Sequence, residues 1–289
     1  MAPPVTAGVD GSNESRAALA WAAREAERRR LPLHVVHAWR FEVHEAVDLG
    51  DRDAQEQRVH DMIDKVVREV TEHHRSLEVT CEVAEGRAVD VLTAASAEAQ
   101  LLVLGSRGHG VLVGFLVGSV GQQVIAQAAR PVVLVRADDP AAEAAGRDIV
   151  VGQQGGPDDT AQALRFAFET AAARGAGLRA VRAWTLPPAF AYSPGSLELL
   201  DEVGGLESFE RTALEQALRP WRERFPHVPV TQHVEMGSAG QVLLAAAEHA
   251  QLMVVGRRAC RTAVGARIGS VAHGVLHHAP CPVAVVPPG

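Results

Sequence analysis

The chain repeats itself. Gly105, Gly114, Gly118, Ser119, Val120 and Pro131 each have an identical residue 151 positions further on, at Gly256, Gly265, Gly269, Ser270, Val271 and Pro282. Upstream, LLVLG (101–105) is mirrored by LMVVG (252–256), and HAW (37–39) by RAW (182–184). The offset shifts between these blocks, as loop insertions produce. In a chain of 289 residues this pattern means a duplicated domain of about 140 residues. The seam falls in DDPAAEAAGRD (138–148), whose composition is that of a linker. The expected division is a first domain at 1–137, a linker at 138–147 and a second domain at 148–289.

Within one repeat, apolar runs alternate with segments of helical period. VTAGV (5–9), LHVVHAW (33–39), EVTCEVAEG (78–86), LLVLG (101–105) and PVVLV (131–135) read as strands. Between them, helices are expected over 15–30, 58–75, 88–99 and 119–129. Strands that alternate with helices form a parallel sheet covered on both faces. The fold class is therefore α/β: two tandem doubly wound domains, each with a five-stranded, mainly parallel sheet flanked by helices.

One segment breaks this economy. GSRGHGVLVGFLVGS (105–119) follows the fourth strand and carries five glycines. Glycine inside a strand or helix costs roughly 0.5–1 kcal/mol against alanine. In doubly wound sheets, ligands sit beyond the strand C-termini, where the strand order reverses. Glycine lets backbone approach a phosphate or take positive φ, and the N–H groups of a helix N-terminus attract anions. A serine there can cap the helix or donate to a phosphate oxygen. The segment reads as a phosphate cradle; the alternative is that its glycines only shape a tight loop. It is not a P-loop, since no Gly-Lys-Ser/Thr follows. Nor is it the dinucleotide fingerprint, whose glycines follow the first strand.

The spacing Gly105-x2-Gly108-x9-Gly118-Ser119 resembles the ATP-binding signature of the universal stress protein family. GVDGS (8–12), the HAW after strand two and the ending AARPVVLVR resemble that family as well. The resemblance covers nearly the whole chain, as a tandem pair, and implies an adenine-nucleotide alpha hydrolase-like fold. It implies that Gly8 and Val9 lead to Asp10 beside the adenosine, and that the Ala38 backbone lies against adenine. Gly105, Gly108 and Gly110 would cover the ribose and phosphates, with Arg107 inside the loop. Gly118, Ser119 and the Val120 N–H would hold the terminal phosphates. ATP, accompanied by a magnesium ion, is the implied ligand. Packing of the halves through their fifth strands, a further homodimer through the domain edges and an unidentified protein partner are implied too.

The second half departs from the pattern. VVGQQGGPDD (150–159) puts Gln153, Gln154 or Gly155 where Asp10 is, and Ala259 replaces the second loop glycine. Gly152, Gly256, Gly269 and Ser270 are kept, and Arg257, Arg258, Arg261 and Arg267 make this loop more basic. Either it binds nucleotide weakly or with altered preference, or it is a structural partner that has lost the site.

The remaining composition narrows the classes. A net charge of −7 argues against a nucleic-acid partner. The apolar runs are short and carry glycine, so no membrane span is expected. The start MAPPVTAGVDGS lacks a signal pattern, which points to the cytoplasm. Cys81, Cys260 and Cys281 are expected as reduced, buried or semi-buried thiols. His73-His74 and His277-His278 read as surface or helix-end histidines, because helix neighbours diverge by about 100°. Trp39 and Trp184 read as packing residues. Paired carboxylates or a nucleophile–base pair are not evident, so a nucleotide-dependent regulatory module is expected. The alternative is a slow ATPase or nucleotidyl or phosphoryl transferase at the same site.

Overall fold

The computed structural model describes residues 2–41, 51–106, 118–137, 147–156, 158–186, 205–257 and 268–289. The chain divides into two compact units, Met1–Asp139 and Pro140–Gly289.

The first unit runs β1 (Val5–Gly8), α1 (Asn13–Arg29), β2 (Leu33–Trp39), α2 (Arg52–His73), β3 (Val79–Glu85), α3 (Ala88–Glu98), β4 (Leu101–Ser106), α4 (Ser119–Gln127) and β5 (Val132–Arg136). Its strand order is β3-β2-β1-β4-β5, and the strand pairings among its described residues are all parallel. β1 is buried along its whole length, as its unbroken apolar run requires of a strand covered on both faces. α1 packs across β1, β4 and β5, with α2 beside it, while α3 and α4 lie together. The doubly wound α/β reading holds. Chain order reverses between β1 and β4, which makes their C-terminal ends the switch point.

α1 starts two residues before the expected Ser15. Ser12 is its N-cap, with Oγ accepting from the Ser15 N–H at 3.1 Å. Its inner face is largely alanine (Ala18, Ala22, Ala23 and Ala26 are all buried), which brings the helix close to the sheet. Arg30, at φ 55°, closes its C-terminus through bonds to Ala26 and Glu27.

α2 also starts earlier than its apolar period, at Arg52 rather than residue 58. Asp51 caps it, accepting from the Ala54 N–H at 2.9 Å. Its buried residues, Ile63, Val66 and Val70, all lie further along, so the first turns carry no apolar face for a period to report.

The second unit runs β6 (Asp148–Gly152), α5 (Ala161–Arg174), β7 (Leu178–Trp184), α6 (Gly205–Arg224), β8 (Val230–Met236), α7 (Ala239–Ala247), β9 (Ala250–Gly256), α8 (Ser270–His278) and β10 (Val283–Val286). Its order is β10-β9-β6-β7-β8, again with parallel pairings. Its switch point lies between β6 and β9.

Two side-chain expectations are corrected. Cys81 is exposed, not buried, because β3 is an edge strand with one flank open. His277 lies in the last turn of α8, at the helix end as expected, but it is buried, its ring 4.3 Å from that of His273 one turn back, because α8 turns this position inward. Cys281 is buried as expected, Trp39 packs in the core at 7% exposure, and Cys260 lies outside the described residues.

Candidate functional site

In the first domain the switch point gathers residues from β1, β4 and α4. Val9 is buried and donates its N–H to the Val36 carbonyl at 2.9 Å. Asp10, next in the chain, is the first exposed residue beyond the strand. Its Oδ1 accepts from the Ser12 N–H at 3.0 Å and from Ser12 Oγ at 2.5 Å, and its own N–H donates to Ser15 Oγ at 3.3 Å. Partial desolvation pushes the carboxyl up, but the bonds from Ser12 and Ser15 outweigh it and hold its pKa below the usual value. Asp10 is therefore an anion that accepts hydrogen bonds at neutral pH.

A depressed folded-state pKa stabilises the fold above the unfolded value, and this contribution fades as pH falls through the folded one. Asp10→Asn is expected to be less stable than the wild type at pH 7. The gap should close as pH drops below the unperturbed value of 3.8. Denaturant titrations at pH 7 and pH 3 check this; a gap independent of pH would rule out the ionised carboxylate as the cause.

The glycines divide by function. A Cβ on Gly8 would sit 2.6 Å from Leu104 Cδ2 and 2.8 Å from Leu92 Cδ2, so these leucines pack onto Gly8 and would have to shift to admit a side chain. A Cβ on Gly105 would lie 2.5–2.7 Å from Glu14 and Ser15 backbone atoms, so β4 ends against the first turn of α1. A Cβ on Gly118 would meet nothing within 4 Å among the described residues. Gly118 is the N-cap of α4 at φ −54°, and neither it nor Gly105 has the positive φ that was one reason to expect glycine. Ser119 is the first helical residue and caps nothing; it is exposed, so its hydroxyl is placed to donate outward. The N–H groups of Ser119, Val120 and Gly121 precede the first helical bond, from the Gln122 N–H to the Gly118 carbonyl at 3.1 Å. Arg107, Gly108 and Gly110 lie outside the described residues.

The second domain presents a cavity of about 760 Å³ at its own switch point, within the range of about 300–1,000 Å³ usual for small-molecule sites. Gly152, Gly256, Gly269 and Ser270, all expected from sequence, line it, and so does Ala183, the counterpart of Ala38. Gly269 repeats Gly118: N-cap, φ −61°, and nothing within 4 Å of an added Cβ among the described residues. Thr160 also lines the cavity; its Oγ1 is buried without a hydrogen-bond partner among the described residues. An open position before a helix N-terminus and an orphaned hydroxyl fit a ligand that brings both anionic oxygen and polar groups. Arg257 adds a guanidinium to the wall, its pKa lowered by burial.

The backbone resolves the alignment that the sequence left open. The Gln153 N–H donates to the Val181 carbonyl at 2.8 Å, as Val9 does to Val36. Gln154 therefore takes the position of Asp10. Asp10 and Gly11 alone separate Val9 from the cap Ser12, whereas residues 154–159 separate Gln153 from the cap Thr160. Sequence reading missed Thr160, Asp158 and Asp159 at this wall. The signal available was the longer run QQGGPDD before the helix.

The family model for the universal stress protein family matches residues 1–136 and again 146–287. The chain belongs to the universal stress protein family. A universal stress protein of Mycolicibacterium smegmatis is 33% identical over 98% of this chain and 97% of its own length. One from Mycobacterium tuberculosis is 32% identical over 97% of this chain and 96% of its own. Among solved structures, a universal stress protein from Archaeoglobus fulgidus superposes with a TM-score of 0.70 at 19% identity, over 99% of this chain and 98% of that one. The tandem universal stress protein reading and the fold class are both borne out. Among the described residues, no helix is long and apolar enough to cross a membrane, and no group of three His, Cys, Asp or Glu side chains could hold a metal ion.

Proposed function

We propose that this universal stress protein binds an adenine nucleotide, ATP with its magnesium ion, in each domain and acts as a nucleotide-dependent regulatory module. The observation that carries the reading is the open position at Gly118 and at Gly269. In both domains a glycine whose added Cβ would meet no described residue within 4 Å stands directly before the first free N–H groups of a helix. In the second domain that position opens into a cavity large enough for a small molecule. The terminal phosphates would lie on Ser119 and Val120 and on Ser270 and Val271, with the nucleoside towards Ala38 and Ala183. The metal would be held by the phosphates. A ligand that binds the ordered form of the switch point better than other forms shifts the population towards it, and so couples nucleotide level to the surface offered to a partner.

Calorimetric titration of the nucleotide-stripped chain with Mg-ATP tests this. The expected stoichiometry is two per chain. One per chain, abolished by changing Gly269, would confine binding to the second domain; absence of heat and of any other binding signal would overturn the reading.

A further inference from the structure

The two domains differ most where their first strands end. In the first, His37 Nδ1 lies 2.7 Å from the Val9 carbonyl oxygen, and Asp10 supplies a charge. In the second, the counterpart of His37 is Arg182, the hub of a network. Its Nη1 donates to Gln153 Oε1 at 2.5 Å and to the Gly155 carbonyl at 3.0 Å, and its Nε donates to the Glu210 carboxylate on α6. Gln153 Nε2 donates to the same Gly155 carbonyl at 3.2 Å. The Arg182 side chain is 11% exposed, Glu210 19% and Gln153 3%.

This arrangement is built. A largely buried guanidinium is tolerated only where its charge is matched and its donors are used; Glu210 supplies the charge, and Gln153 and Gly155 the other acceptors. The Gly155 carbonyl takes two donors and is left as wall. Gly155 is at φ +79°, where a Cβ would also meet Asp159 Oδ2 at 2.3 Å, and Asp159 in turn accepts from the Gly156 N–H at 2.8 Å. Gln153, Gly155 and Asp159 line the cavity, and Arg182 does not. It acts through them.

We infer that Arg182 is the positioning residue of the second nucleotide site. It holds the loop from β6 to α5 as a preformed wall, so that the domain keeps a site without a carboxylate in the place of Asp10. The inference rests on the nucleotide reading above. It makes the first site dependent on the Asp10 anion, and the second on the shape of the wall at Gln153 and Gly155 that a guanidinium braces from behind, with the nearest carboxylates displaced along the loop to Asp158 and Asp159.

The test uses the full chain carrying Gly118→Leu, so that titration with Mg-ATP reads the second site alone. One Mg-ATP per chain is expected. Adding Arg182→Ala or Glu210→Gln should weaken binding by about tenfold or more, the effect of one lost charge-assisted hydrogen bond. Arg182→Lys should stay weak, because an ammonium cannot serve several acceptors from one plane. Low-millimolar guanidinium should restore binding to Arg182→Ala, but not to Gly269→Leu, and a general loss of the domain's fold would give no such rescue. Affinity unchanged in Arg182→Ala, or a loss that guanidinium fails to rescue, overturns the role of Arg182 and leaves the nucleotide reading intact. No binding in the parent overturns the nucleotide reading for this domain, and the role of Arg182 with it.

Discussion

Gly105→Val is expected to destabilise the first domain while the same change at its counterpart, Gly256→Val, is expected to leave the second nearly as stable as before. Even the first carbon of a side chain at Gly105 would lie 2.5 Å from the Glu14 carbonyl carbon, 2.7 Å from its oxygen and 2.7 Å from the Ser15 nitrogen. These are backbone atoms in the first turn of α1, held by the Ser12 cap and the Asp10–Ser12–Ser15 bonds. They cannot swing aside as a side chain would. The helix must retreat from β4, and it carries the buried Leu19, Trp21 and Ala22 with it. Overpacking of this kind costs about 1–3 kcal/mol or more, which lowers the midpoint by roughly 2–4 °C per kcal/mol in a domain of this size. At Gly256 the nearest atom to an added Cβ among the described residues is the Ala163 Cβ, at 3.9 Å. Calorimetric melting of the two variants beside the wild type measures the difference. Equal shifts would mean that α1 does not press on β4.

The second large effect is on binding rather than on stability. Gly118→Leu and Gly269→Leu place a side chain where no described residue lies within 4 Å, at φ values of −54° and −61° that any residue adopts. Their stability should fall by no more than about 1 kcal/mol, the cost of a leucine in place of a glycine N-cap. The same side chain fills the space before the N–H groups of Ser119 and Val120, or of Ser270 and Val271. An anion must reach those groups to use the helix N-terminus. Each variant should lose at least about 100-fold in Mg-ATP affinity in its own domain and leave the other domain unchanged. Titration of both single variants and the double variant reads this directly. Stability lost together with affinity would show that these glycines serve the fold after all; affinity retained would place the phosphates elsewhere.

Much of this protein is local in origin and therefore readable along the chain. Each strand and helix announces itself by its own period, and the duplication by residues that match at a fixed offset. Parallel pairing follows, because short apolar strands joined by helices have few other ways to bury both faces. The helix starts at Asn13 and Arg52 were harder to see, because capping by Ser12 and Asp51, not an apolar period, sets them.

The tertiary structure decided what the glycines are for. Along the chain, Gly8, Gly105 and Gly118 look alike. In space, the first faces leucines, the second faces the backbone of the helix that holds Glu14 and Ser15, far away in sequence, and the third faces no described residue within 4 Å. It also decided that Gln154, not Gln153, replaces Asp10, since only the bond from Gln153 to Val181 fixes the register there. The brace formed by Arg182, Gln153 and Glu210 joins three elements and follows no period. Contacts between residues distant in sequence depend on how the strands and helices pack, and composition and spacing along one chain do not carry that information.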